Sequence, residues 1–206
     1  MRELPIFSLP LVLNPGGDLC LRIFEPRYLD MVRDCARSQT GFGICSVLPA
    51  PGSDQRGICS IGCEAKIVDF DTLPDGLLGI QVLGLERFRI QKLQARDDGL
   101  SIAVVDDIPA EPTLVVPAEY GLLSDMVAGV MGEEQSRRKA TRKGTSQPLG
   151  QDQLDNASWV GFRLSEVLPL ELPERQQLLE TTDPIERLRL LAEWLPRFQR
   201  SDEDEG

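Results

Sequence analysis

Histidine is absent from all 206 residues of this chain. That absence rules out a Ser–His–Asp or Cys–His nucleophile within one chain and leaves no imidazole to complete a zinc shell. Aromatic residues make up only 5%, so aliphatic side chains must supply most of any core. Cation is in deficit, with 22 Lys and Arg against 33 Asp and Glu and a net charge of −11. Phosphate binding needs a basic stripe, so neither a nucleic-acid surface nor an anionic membrane is an expected partner. No apolar run approaches the ~20 residues of a membrane-spanning helix. The N-terminus, broken by Pro5 and Pro10, offers no apolar core for a signal peptide. A cytoplasmic location is the resulting expectation. No internal repeat is visible, and no G-x-x-x-x-G-K-[ST] phosphate loop occurs. Lys143-Gly144-Thr145 has the wrong order and sits in a polar stretch.

Five cysteines leave one unpaired in any disulfide scheme. They lie among apolar residues, as small buried hydrophobes do in a reducing compartment. Cys59 and Cys63 do not form C-x-x-C. No metal and no cofactor is expected. Ser–Lys catalysis would need Lys66, Lys92, Lys139 or Lys143, and none stands in a recognisable nucleophile context. Paired carboxylates occur at Asp69 and Asp71, Asp97 and Asp98, and Asp106 and Asp107. Each pair lies near a turn or strand end, where aspartate is common for structural reasons. The expectation is a non-enzymatic protein.

What is present is organised around residues 19–31, L-C-L-R-I-F-E-P-R-Y-L-D-M. Leu19, Leu21 and Ile23 share one face of a strand. Pro26 fits only the first turn of a helix, where its missing N–H is harmless. Tyr28, Met31, Val32 and Cys35 follow at helical spacing, which predicts strand, sharp turn, helix. Two readings of the corner stay open. It is a structural joint, with Glu25 paired to Arg22 or Arg27 and Tyr28 under the helix. Or it is the lip of a groove in which Phe24, Glu25, Arg27 and Tyr28 take a peptide.

The rest of the first half is punctuated like a β protein. Residues 42–48 form an apolar run suited to a buried strand, and residues 49–54 a loop. Extended structure resumes at 58–70, with Gly62 a candidate bulge. Leu73-Pro74-Asp75-Gly76 is a turn signal joining two long strands. A bend is expected at Gly84, because Glu86 breaks the apolar parity of the second strand. Asp97-Asp98-Gly99 turns the chain into another strand. Such long hairpins predict a strongly bent sheet or barrel.

Pro109, Pro112 and Pro117 mark a change to helical periodicity, so the expected division is a β-rich lobe over 1–112 and a helical lobe over 113–206. Helices are predicted from 117 to about 131, from 154 to about 168, after Pro173, and from Asp183-Pro184-Ile185-Glu186 onward. Residues 132–153, with basic residues clustered at 137–143, are expected to be a polar loop. Asp202 to Glu205 form an acidic tail.

Three blocks carry a resemblance. The first is L-P-I-F-S-L-P-L-V-L-N-P-G-G from Leu4 with I-F-E-P-R-Y from Ile23. The second is G-C-E-A-K-I-V-D-F-D-T-L-P-D-G from Gly62, continuing into G-L-E-R-F-R-I. The third is L-P-L-E-L-P-E-R-Q-Q-L-L-E-T-T-D from Leu168, followed by R-L-R-L-L. In this order and spacing they resemble the Lon protease N-terminal domain family, which is the substrate-recognition part of an ATP-dependent protease and also occurs as stand-alone proteins. The resemblance implies an α+β fold: a bent, PUA-like β pseudo-barrel with one early helix, followed by a helical bundle. It implies a role in protein quality control, with unfolded or exposed polypeptide segments, and a AAA+ protease, as partners. The ATPase and Ser–Lys peptidase of a complete Lon protease have no counterpart here, so a stand-alone, non-catalytic binding module is expected. A small-molecule- or RNA-binding module is the alternative, since PUA-like barrels are used that way.

Overall fold

A proline near the N-terminus argues against a central strand, yet Arg2–Leu9 is strand β1 and closes the sheet. In the computed structural model, which describes residues 1–49, 56–140 and 150–199, Pro5 pairs with Ile102 of β7 (Ser101–Asp107). The parallel pairing of β1 with β3 (Phe42–Pro49) begins only at Ile6. The missing N–H therefore falls where β1 is still an edge. Two compact units are present, Met1–Ala110 and Glu111–Gly206.

The first unit holds a seven-stranded, mostly antiparallel sheet. Its hydrogen-bonded path runs β1–β7–β6–β5–β3 and returns to β1, with β5 spanning Ile61–Thr72 and β6 Leu78–Ala95. The result is a bent pseudo-barrel rather than a clean one. Strand β2 (Asp18–Ile23) lies outside the ring on the first half of β6, and β4 (Arg56–Ile58) on the end of β3. Arg2 ties the closure: its guanidinium meets Glu64 Oε2 at 2.5 Å and Asp107 Oδ1 at 2.9 Å. Burial opposes the Arg2 charge, but those two carboxylates outweigh it and raise its pKa.

Two glycines allow close approach within the barrel. A Cβ on Gly84 would lie 2.1 Å from the Asn14 carbonyl oxygen. The chain can cross there only without a side chain, and Gly84 bonds back to Gly16 and Gly17. Pairing slips just beside it, between Gly84 and Arg87 of β6 opposite Ala65 and Cys63. Gly62 itself is in register with Phe88 rather than bulged. Its small size serves close packing instead, because a Cβ would meet the Ile44 oxygen at 2.4 Å.

Helix α1 (Pro26–Ser38) buries Tyr28, Met31, Val32 and Cys35 against Leu21, Ile23, Phe42, Ile80 and Val82. Burial of each large side chain is worth about 1.5–3 kcal/mol, enough to fix the helix on the sheet.

The helical unit contains a short 3-10 turn (Ala118–Tyr120), α2 (Gly121–Ala140), α3 (Gln151–Leu154), α4 (Ala157–Val167), α5 (Leu172–Glu180), α6 (Pro184–Trp194) and α7 (Pro196–Gln199). Asn156 caps α4 and Asp183 caps α6 through side-chain oxygens. Helix α2 continues to Ala140, so the first part of the stretch expected to be loop is helical. Its Glu, Gln, Arg, Lys and Ala residues are good helix formers, but without an apolar stripe they show no helical period. The basic residues Arg142 and Lys143 and the acidic tail lie outside the described residues. The core of this unit joins Leu123, Val127, Val160, Leu164, Leu178, Leu188 and Leu191.

A buried cation sits among them. Arg187 is fully enclosed and pairs with Glu111, its Nη1 donating to Oε2 at 2.9 Å. Its Nε donates to the Leu178 carbonyl at 2.9 Å and its Nη2 to Thr181, while the guanidinium lies 3.8 Å from the Phe162 ring centroid.

Candidate functional site

The corner after β2 is built from the chain outward. Glu25 precedes α1 with extended backbone angles, Pro26 occupies the first turn, and the Glu25 carbonyl accepts from the Tyr28 and Leu29 amides at 3.0 Å. The Glu25 carboxylate accepts from Arg27 Nε at 2.9 Å and lies 2.7 Å from its Nη2. Arg27 Nη1 donates to the Gly99 carbonyl at 2.8 Å, which ties the helix start to the β6–β7 turn. The same guanidinium stands 4.7 Å from the Tyr28 ring. Tyr28 is buried, its ring centroid 4.0 Å from that of Phe7. Arg22 pairs elsewhere, with Asp75 at 2.7 Å. The structure thus joins Glu25, Arg27 and Tyr28 into one satisfied joint, and leaves Phe24 projecting with 62% of its surface exposed.

Phe24 follows directly on β2, one outer strand of a three-stranded leaf, β2–β6–β5. Across the leaf Ile23 faces Leu78 and Leu78 faces Thr72; Leu21 faces Ile80 and Ile80 faces Phe70. Phe70 and Val68 are 51% and 50% exposed. Sequence reading placed this stretch in a strand and did not single them out, although V-D-F-D alternates apolar and acidic residues as a half-covered strand does.

Four of the six paired carboxylates engage separate partners. Asp106 accepts from Gln91 at 2.9 Å, and Asp107 from Arg2. Asp98 accepts from Arg96 and from the Leu100 amide, and these bonds, the arginine's first, lower its pKa from 3.8 to about 2. Asp69 Oδ1 accepts from the Phe70 amide at 2.8 Å. Among the described residues no group of three or more His, Cys, Asp or Glu side chains could hold a metal ion, and no helix is long and apolar enough to cross a membrane.

The sequence pattern of the ATP-dependent protease La (LON) substrate-binding domain matches residues 3–197. The chain belongs to this family. The fold agrees: the chain superposes on the Lon N-terminal domain protein from Xanthomonas campestris with a TM-score of 0.77 and 36% identity, over 94% of this chain and 99% of that one. The N-terminal domain of Mycobacterium avium complex Lon protease, at 20% identity, shares the fold with a TM-score of 0.63, over 94% of this chain and 97% of that one. Lon protease of Brevibacillus choshinensis is 25% identical over 202 residues, 92% of this chain. The chain spans about a quarter of that relative's length, 24%. As a Lon N-terminal domain, the chain is of a substrate-binding kind rather than a catalytic one.

Proposed function

We propose that this chain is a non-catalytic module that recognises exposed or unfolded polypeptide segments, handing them to, or holding them for, a AAA+ protease. The observation that carries the reading is where apolar surface is left uncovered. Setting aside Met1, the three most exposed large apolar side chains of the first unit, Phe24, Phe70 and Val68, all lie on the β2–β6–β5 leaf or at its end. Polypeptide recognition needs apolar contact with a few oriented polar groups beside it. Of the four corner residues, Phe24 supplies contact, while Glu25, Arg27 and Tyr28 hold the position from which it projects. The family name supports a polypeptide ligand, and the net charge of −11 favours one with basic residues.

The test is fluorescence anisotropy with a labelled, permanently unfolded carboxymethylated protein and with a short single-stranded RNA. Saturable binding of the first and none of the second is expected, with Phe24→Ser weakening it several-fold at an unchanged melting temperature. Binding of RNA alone would overturn the proposal.

A further inference from the structure

Strand β5 is covered on both sides only where β3 reaches it, through Phe42, Gly43 and Ile44 opposite Ala65, Glu64 and Cys63. Residues 66–72 pair with β6 on one side, and among the described residues no strand pairs with them on the other. The Phe70 amide hydrogen goes instead to the neighbouring Asp69 carboxylate. A ladder amide would be engaged with β6, so this N–H faces the open side and a side chain stands in for a missing strand.

The two faces along this edge differ in chemistry. Phe70, opposite Ile80, and Ile67, opposite Val82, continue the apolar face of the leaf. Asp69 and Asp71, opposite Gln81 and Gly79, share the other face. A strand laid beside β5 would therefore place apolar side chains on one face and meet two exposed carboxylates on the other. Strand β2 is also paired on one side only, but its inward residues Leu21 and Ile23 are buried and only Phe24, just past its end, is exposed, so its edge offers no comparable row of apolar contacts.

We propose that the open edge of β5 at residues 66–72 takes an extended segment of another polypeptide, alternating apolar and Lys or Arg residues, as an added strand whose carbonyl replaces the Asp69 carboxylate at the Phe70 amide. This rests on the polypeptide-binding reading above and specifies its site and ligand chemistry. The occupant is not a second copy of this chain. Edge-to-edge pairing of two β5 strands would bring Asp69 and Asp71 of both copies together, and like charges across a ladder repel.

Strand addition is separable from other peptide binding by backbone chemistry. An added strand uses the N–H groups of alternate residues toward its neighbour. The probe is a fluorescent peptide of about eight residues alternating valine or phenylalanine with lysine, about the length of this edge. Two further versions carry N-methyl groups on one or the other alternate set of amides. One methylated set is expected to weaken binding about tenfold or more while the other stays within about twofold. Asp71→Lys, at an exposed position, is expected to weaken the lysine peptide and favour a glutamate counterpart, with an unchanged thermal melt.

Equal affinity for both methylated sets would overturn the strand-addition inference and leave polypeptide binding standing. Absence of binding to this peptide and to the unfolded protein would overturn both. Dimerisation of the free protein in sedimentation, abolished by Phe70→Lys, would overturn the assigned occupant.

Discussion

Arg187 offers the sharpest energetic test. Its side chain has no exposed surface and that of Glu111 has 6%, so neither ion has water to fall back on. Replacing Arg187 by alanine leaves the Glu111 carboxylate buried without its cation, a loss of about 3–5 kcal/mol in comparable buried pairs. It also removes the donors to the Leu178 and Thr181 carbonyls, each worth about 1 kcal/mol but not additive with the first. The single change should therefore lower stability by at least about 3 kcal/mol, or the melting temperature by more than about 10 °C for a unit of this size. Replacing both partners, Arg187→Met with Glu111→Leu, should recover all but about 2 kcal/mol, since an apolar pair carries no desolvation penalty. The chain has two tryptophans, Trp159 and Trp194, both in the helical unit, so urea unfolding followed by their fluorescence reports this unit alone. A loss below about 1 kcal/mol for the single variant, or a double variant no better than the single, would refute the argument. Because Glu111 precedes Thr113, a helical fragment beginning at Thr113 should melt well below one beginning at Glu111, as circular dichroism would show.

At the corner, Arg27→Ala should lower stability by no more than ~1 kcal/mol, because the Glu25 pair is partly exposed; a chemical denaturation curve measures it, and a larger loss would mean that the Gly99 contact dominates. The Arg96 bond holds the Asp98 carboxyl down from 3.8 to about 2 in the folded chain, so its contribution to stability is complete above about pH 4 and is lost as pH falls through that window. Carbon-detected NMR titration should find its midpoint there, and Arg96→Gln should return it toward the ordinary value. Of the free thiols, exposed Cys20 should react first with a disulfide reagent at pH 8. Cys35, Cys45 and Cys63 should wait for unfolding, since burial raises all three pKa values, Cys45 to about 12. Mass spectrometry of the modified sites decides the order.

Much of the fold was legible because it depends on neighbours in the chain. Pro26 after an alternating strand sets the corner, Leu73 to Gly76 sets the long hairpin, and Asp183 with Pro184 starts α6, each through local backbone chemistry that any context would impose. The shift of parity around Gly84 and Glu86 likewise appears in the structure as a slip in pairing. Three ordered blocks were enough to recognise the family. The reach of α2 to Ala140 was not legible, because a helix with no apolar stripe leaves no period to see.

What the tertiary structure alone decided are the relations between distant residues. The parallel pairing of β1 with β3 that closes the barrel, the engagement of Arg27 with Gly99, and the burial of Arg187 on Glu111 join positions far apart in sequence. An arginine or glutamate looks the same in sequence whether it ends in water or in a core, since only the surrounding packing decides whether its charge is solvated or must be paired. The same holds for the leaf. The alternation of Asp69, Phe70 and Asp71 determines two faces, but which strand lies beside them, and which edge is left open, follows only from where β3 ends.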